Sequence, residues 1–169
     1  MVIIIFGLPG SGKSFFASRF AKVINAVYIN SDKVRKETFE KSAYSDQEKK
    51  AVYDKMLEQM RAFVQQNENV VLDATFHKKN IRNIFVEEMK DKGGIFFIEI
   101  QSDENIIRER LKRPRPYSDA DFDVYKITSQ QNEPLDEPHL ILKSTDSIHE
   151  MIQKAIEYLK TNNDNKANQ

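Results

Sequence analysis

Gly7-Leu8-Pro9-Gly10-Ser11-Gly12-Lys13-Ser14 fits the phosphate-binding consensus G-x-x-x-x-G-K-[ST] over all eight positions. Its flanks fit as well. Val2-Ile3-Ile4-Ile5-Phe6 is an unbroken apolar run, as a parallel strand buried on both faces requires. After Ser14 the apolar residues Phe15, Phe16, Phe20, Ala21, Val23 and Ile24 recur at helical spacing. Glycines between a strand and a helix let the backbone wrap a polyphosphate with its N–H groups pointing inward. The helix N-terminus adds partial positive charge. Gly7, Leu8, Pro9, Gly10, Ser11 and Gly12 form the cradle, Lys13 reaches the β- and γ-phosphates, and the Ser14 hydroxyl binds Mg²⁺.

Working outward, Ala26–Asn30 reads as a second strand with Ser31-Asp32-Lys33-Val34-Arg35 at its end. A helix is predicted from Asp46 to about Gln66, with Ser45 and Glu48 as a capping box. Asn69–Asp73 is a third strand ending in a carboxylate. A basic helical stretch, about Lys78 to Lys92, closes at Gly93-Gly94. Ile95–Ile100 is a fourth strand. Ser102 is the expected cap of a helix running to about Arg113, broken by Pro114 and Pro116. Ser118 is the expected cap of a helix from Asp119 to about Gln131. His139–Lys143 is a fifth strand, and Ser147 to Lys160 a last amphipathic helix. Alternation of strands and helices implies a parallel sheet covered on both sides, with ligands beyond the carboxyl ends of the strands. Strands one, two and three end in the glycine loop, in Ser31-Asp32 and in Asp73, so all three endings face one crevice.

The 169 residues suggest one domain, residues 1–160, followed by a polar tail, 161–169, expected to be disordered. No apolar run reaches 18 residues, so no membrane partner is expected, and Val2–Phe6 is too short for a secretory signal. Cysteine is absent, which excludes disulfides and thiolate metal sites and makes the cytoplasm the default location. A net charge of zero weighs against a long nucleic-acid footprint. No obligate protein partner is visible.

Gly7–Ser14, Asp32 with Arg35 three residues on, and Asp73 in Leu72-Asp73-Ala74-Thr75-Phe76 together resemble the P-loop kinases of the polynucleotide-kinase and zeta-toxin group. That group includes many small kinases described as AAA-type ATP-binding proteins. Arg113-Pro114-Arg115-Pro116-Tyr117-Ser118-Asp119-Ala120, followed by Glu133-Pro134, is similar to their lid region, so the resemblance spans about Met1 to Lys160. It implies an α/β fold: a P-loop NTPase three-layer sandwich with a five-stranded parallel sheet, strand order 2-3-1-4-5, and a short lid. It also implies ATP and Mg²⁺ as cofactors and a hydroxyl acceptor, either a small molecule or the 5′-hydroxyl end of a nucleic acid.

The resemblance gives Asp32 the role of accepting the acceptor's proton and Arg35 that of holding the acceptor; the competing reading makes Ser31 or Asp32 a helix cap and Arg35 a surface arginine. Asp73 stands where a Mg²⁺-holding acid stands in related enzymes, or orients the acceptor. Thr75 and Arg82 complete the expected acceptor side, and the basic residues Lys78, Lys79 and Arg82 speak for a polynucleotide. Among Arg108, Arg110, Arg113 and Arg115, the family lid points to Arg110 and Arg113 for the γ-phosphate; a solvated basic face is the alternative. Asp119, Asp121 and Asp123 suit a helix N-terminus rather than a metal. His77, His139 and His149 have no ligand spacing, though His77 could line the crevice. The rival functions are an ATPase switch and a nucleotide sensor without turnover.

Overall fold

The computed structural model describes residues 1–41, 43–114 and 118–167. Arg115, Pro116 and Tyr117 of the expected lid lie outside the described residues, as do 168–169 of the tail. The elements run β1 (Val2–Phe6), α1 (Lys13–Val23), β2 (Val27–Asn30), α2 (Ser31–Thr38), α3 (Asp46–Gln65), β3 (Val70–Asp73), α4 (Lys79–Met89), β4 (Ile95–Gln101), α5 (Glu104–Leu111), α6 (Phe122–Gln130), β5 (Leu140–Lys143) and α7 (Ile148–Ala167). The strands form one parallel sheet in the order β2-β3-β1-β4-β5. This is the three-layer P-loop arrangement expected from the sequence.

The apolar run of β1 explains its central place. Val2, Ile3, Ile4 and Ile5 are all fully buried. Val2 and Ile4 pack with Val70 and Leu72 against Val52, Met56 and Met60 of α3 and Phe85 and Met89 of α4. Ile3 and Ile5 pack on the other face with Phe16 and Phe20 of α1 and Met151, Ala155 and Leu159 of α7. The two-residue side-chain period thus builds two separate cores from one strand. Burying each such side chain stabilises the fold by about 1.5–3 kcal/mol.

Two helix starts differ from expectation. α6 begins at Phe122 and is capped by Asp121, whose carboxylate accepts from the Val124 N–H at 2.9 Å, so Ser118 is free for the crevice. α5 is entered through Asp103 rather than capped by Ser102, and neither side chain caps it. α7 runs from Ile148 to Ala167. There Thr161 and Asn162 turn their side chains back onto the carbonyls of Glu157 and Tyr158, at 3.0 and 2.8 Å.

Candidate active site

The phosphate loop turns from β1 into α1 through Gly10 at φ +80° and Gly12 at φ +97°, both in the left-handed region. A side chain there would be strained and would also collide: a Cβ on Gly10 would lie 3.0 Å from Ile107 and Leu111, side chains of α5. Gly12 sits at the N-cap position of α1 and offers no side chain to the first-turn N–H groups. An anion at this point meets uncapped donors and the positive end of the helix.

Beside the loop, the ends of β2 and β3 form a polar knot. Asp73 is fully buried. Its Oδ2 accepts from the Tyr28 hydroxyl and from Asn30 Nδ2, each at 2.6 Å. Burial, then the charge and hydrogen bond of Asp73, push the Tyr28 phenol far above its ordinary value, so it stays a donor. Asp73 Oδ1 is buried and has no hydrogen-bond partner among the described residues. Asn30 Nδ2 also reaches Ser14 Oγ at 3.5 Å, which ties the carboxylate to the loop hydroxyl. The described residues hold no cluster of three His, Cys, Asp or Glu. One hydroxyl and one carboxylate with a vacant oxygen fit a hard cation that takes its other ligands from phosphates and water, as Mg²⁺ does.

Asn30 also takes the place at the start of α2 that a capping Asp32 would need. The Asn30 side-chain Oδ1 accepts from the Lys33 N–H at 3.0 Å, so Asn30 caps α2. Neither Ser31 nor Asp32 does, and Asp32 stands in the first turn with its carboxylate in the crevice. Burial raises its pKa; Lys13 opposes this, the nearby Asp73 adds to it, and Arg35 and a hydrogen bond from Ser118 oppose it.

Two cavities meet here. The larger, about 920 Å³, is lined by Gly10, Gly12, Lys13 and Ser14 on the loop side and by Arg113 and Pro114 on the far side. The smaller, about 330 Å³, takes Arg35, Thr75 and His77 from strand and helix ends and its opposite wall from α6. Lys13, Asp32 and Ser118 line both. The Arg35 side chain is 11% exposed, 3.9 Å from Glu48 and 4.8 Å from the Tyr44 ring centroid. Its Nε and Nη1 have no hydrogen-bond partner among the described residues. His77 Nδ1 is likewise buried without one, and burial, with Lys78 and Lys49 nearby, lowers its pKa. Tyr44 donates its hydroxyl to Asp119 Oδ2 at 3.1 Å, linking the α2–α3 loop to the segment before α6.

Two arginines bond to main-chain carbonyls: Arg82, outside both cavities, and Arg110, which also lines the larger one. Arg82 is buried and outside both cavities. It donates to the carbonyls of Phe76 and Pro134, each at 2.8 Å, and so clamps the turn after β3 to the strap before β5. Its Nε is buried without a hydrogen-bond partner among the described residues. Lys78 and Lys79 are similarly drawn to Glu133 and Asp136, at 3.4 and 2.6 Å. Arg110 points its Nη1 at the loop backbone, bonding the carbonyls of Gly10 and Ser11 at 3.3 and 3.1 Å and the Ser144 hydroxyl at 2.9 Å. Arg113 is exposed at the mouth of the larger cavity. The crevice is also lined by Tyr28, Asn30, Lys49 and Tyr53, to which the sequence reading gave no role. Only Asn30 left a local signal: an asparagine at a strand end three residues before the N–H it caps.

The chain belongs to the AAA domain family, which matches residues 2–133. No curated protein matches it. Its fold resembles a gluconokinase from Sinorhizobium meliloti 1021, at 18% identity and TM-score 0.75 over 98% of this chain and 95% of that one. It also resembles a sugar kinase from Janibacter, at 18% identity and TM-score 0.74 over 94% of each chain. The APS kinase CysC of Mycobacterium tuberculosis, solved with AMPPNP and APS, matches at 16% identity and TM-score 0.71 over 94% and 96%.

Proposed function

We propose that this protein is an ATP- and Mg²⁺-dependent kinase that phosphorylates a hydroxyl group on a small metabolite. The observation that carries the reading is the meeting of two cavities at Lys13 and Asp32. The larger takes the nucleotide, its phosphates on Gly7–Ser14. The smaller takes the acceptor, between Arg35, Thr75 and His77. The acceptor hydroxyl attacks the γ-phosphorus, its oxygen forming the new P–O bond as the bond to the β-bridging oxygen breaks and ADP leaves. Asp32 accepts the hydroxyl proton. Lys13 stabilises the charge on the phosphates, and Arg113 adds positive charge from the lid side. Arg110 acts on the loop, holding its carbonyls. Ser14 and Asp73 would hold Mg²⁺, which neutralises phosphate charge when bound. The kinase likenesses support the reaction class.

A small acceptor is favoured over a polynucleotide on two counts. A cavity of about 330 Å³ is at the small end for ligand sites. The basic residues that would have tracked a phosphate backbone are turned to Glu133, Asp136 and main-chain carbonyls. The test is transfer from γ-labelled ATP to a panel of hydroxy acids, sugars, nucleosides and 5′-hydroxyl oligonucleotides. Labelling of a small compound is expected. Labelling confined to oligonucleotides, or ATP hydrolysis that no acceptor stimulates, would overturn the reading.

A further inference from the structure

The acceptor cavity has two chemically opposite sides. Asp32, Arg35, Thr75 and His77 make one side polar. The other is a face of α6: Val124, Ile127, Thr128 and Gln131 line the cavity at spacings i, i+3, i+4 and i+7. Val52 and Tyr53 of α3 add apolar surface.

Val124 and Ile127 are 42% and 55% exposed, although α6 has an anchored side of its own. Phe122 and Tyr125 stack with ring centroids 5.2 Å apart, Tyr125 is buried, and the Arg108 guanidinium of α5 lies 3.9 Å over the Phe122 ring. That side fastens α6 to α5. The aliphatic pair is left facing the cavity, where a purely polyhydroxylated acceptor would leave it wet. Covering it with a ligand's apolar surface is favourable in proportion to the area removed from water.

We infer that the acceptor is an amphipathic small molecule: a hydroxyl-bearing anion with a hydrophobic body that lies on the Val124–Ile127 face while its charged end meets Arg35. This rests on the kinase reading of the same cavity and adds the chemistry of the substrate's non-reacting part.

The probes are phenyl phosphate and methyl phosphate, which share an anionic head and differ in the body. Each is titrated calorimetrically into the protein saturated with Mg²⁺ and a non-hydrolysable ATP analogue. Phenyl phosphate is expected to bind about tenfold or more tightly, given the apolar area it can bury. Ile127→Ser and Val124→Ser should each shrink that preference, with unchanged analogue affinity and unchanged circular dichroism. Equal binding of the two probes, no binding of either, or a preference that survives in both serine variants would overturn the inference. Failure of the analogue itself to bind would strike the nucleotide site and the kinase reading first.

Discussion

Asp32 is a carboxylate kept in a half-buried place by its neighbours, and that has two measurable consequences. Burial raises its pKa above the ordinary value. A general base works only when deprotonated, so the acidic limb of kcat/KM should lie above the ordinary aspartate range of about 3.9 and should disappear in Asp32→Asn. The sign for stability is opposite. A carboxylate that holds its proton more tightly in the folded chain costs stability as pH rises from its unfolded to its folded pKa, and the cost persists above that. Asp32→Asn should therefore unfold at the same or higher temperature than the wild type at pH 7, with the gain vanishing below about pH 3.9. A lower melting temperature at pH 7 would mean that Asp32 is a structural partner of Lys13 or Ser118 rather than a strained base. Lys13→Ala should lose transfer with little effect on folding, at a cost of about 3–4 kcal/mol of transition-state stabilisation, taking the loss of one oxyanion donor as the guide. Near-normal transfer would contradict the nucleotide site.

At the scale of elements, α5 and the segment that follows it supply two arginines, Arg110 and Arg113, with separable tasks. Both line the larger cavity, but Arg110 is bonded to the carbonyls of Gly10 and Ser11 on the glycine loop, whereas Arg113 is exposed. Arg110→Ala should raise the KM for ATP together with any fall in kcat, because the loop itself loosens. Arg113→Ala should lower kcat with the smaller change in KM. The reverse pattern in steady-state kinetics would exchange their roles. The turn after β3 offers a contest of magnitudes. Phe76 holds φ +47°, a conformation that costs a bulky residue about 1–3 kcal/mol. It is also fully buried, its ring centroid 5.2 Å from those of Tyr53 and Phe85, and its N–H donates to the Tyr53 hydroxyl at 3.1 Å. Burial pushes the Tyr53 phenol up to about 12, so it remains protonated at neutral pH. Phe76→Gly relieves the backbone but removes a packed aromatic side chain worth about 3–5 kcal/mol. The net expectation is a destabilisation of about 2 kcal/mol in chemical denaturation. A more stable glycine variant would show that strain dominates the turn.

For the molecule as a whole, the legible parts were those written in local pattern. Gly7–Ser14, the five apolar runs and the strand-end carboxylates Asp32 and Asp73 are readable because a short motif or a period carries each. The strand order came with the family resemblance. The clamp made by Arg82 was not legible, because its partners are the carbonyls of Phe76 and Pro134, the latter 52 residues away, and no local signal announces a long-range contact. Lys78 and Lys79 look like a basic patch in sequence and are drawn to Glu133 and Asp136 in three dimensions. The α6 wall of the smaller cavity was not legible for a related reason: Val124 and Ile127 are ordinary apolar positions until the opposite face of the helix is seen to be fastened to α5.

The central claim is that Asp32, at the junction of the two cavities, takes the proton of a bound hydroxyl as that hydroxyl, rather than water, attacks the γ-phosphorus. The direct test is a paired rate measurement on wild type and Asp32→Asn with γ-labelled ATP: label transferred to the acceptor identified in the panel, and label released as inorganic phosphate. Transfer should fall by roughly 10²–10⁴ while hydrolysis falls much less and calorimetric affinity for the nucleotide stays unchanged. Undiminished transfer in Asp32→Asn, or an equal loss of transfer and nucleotide binding, would contradict the account.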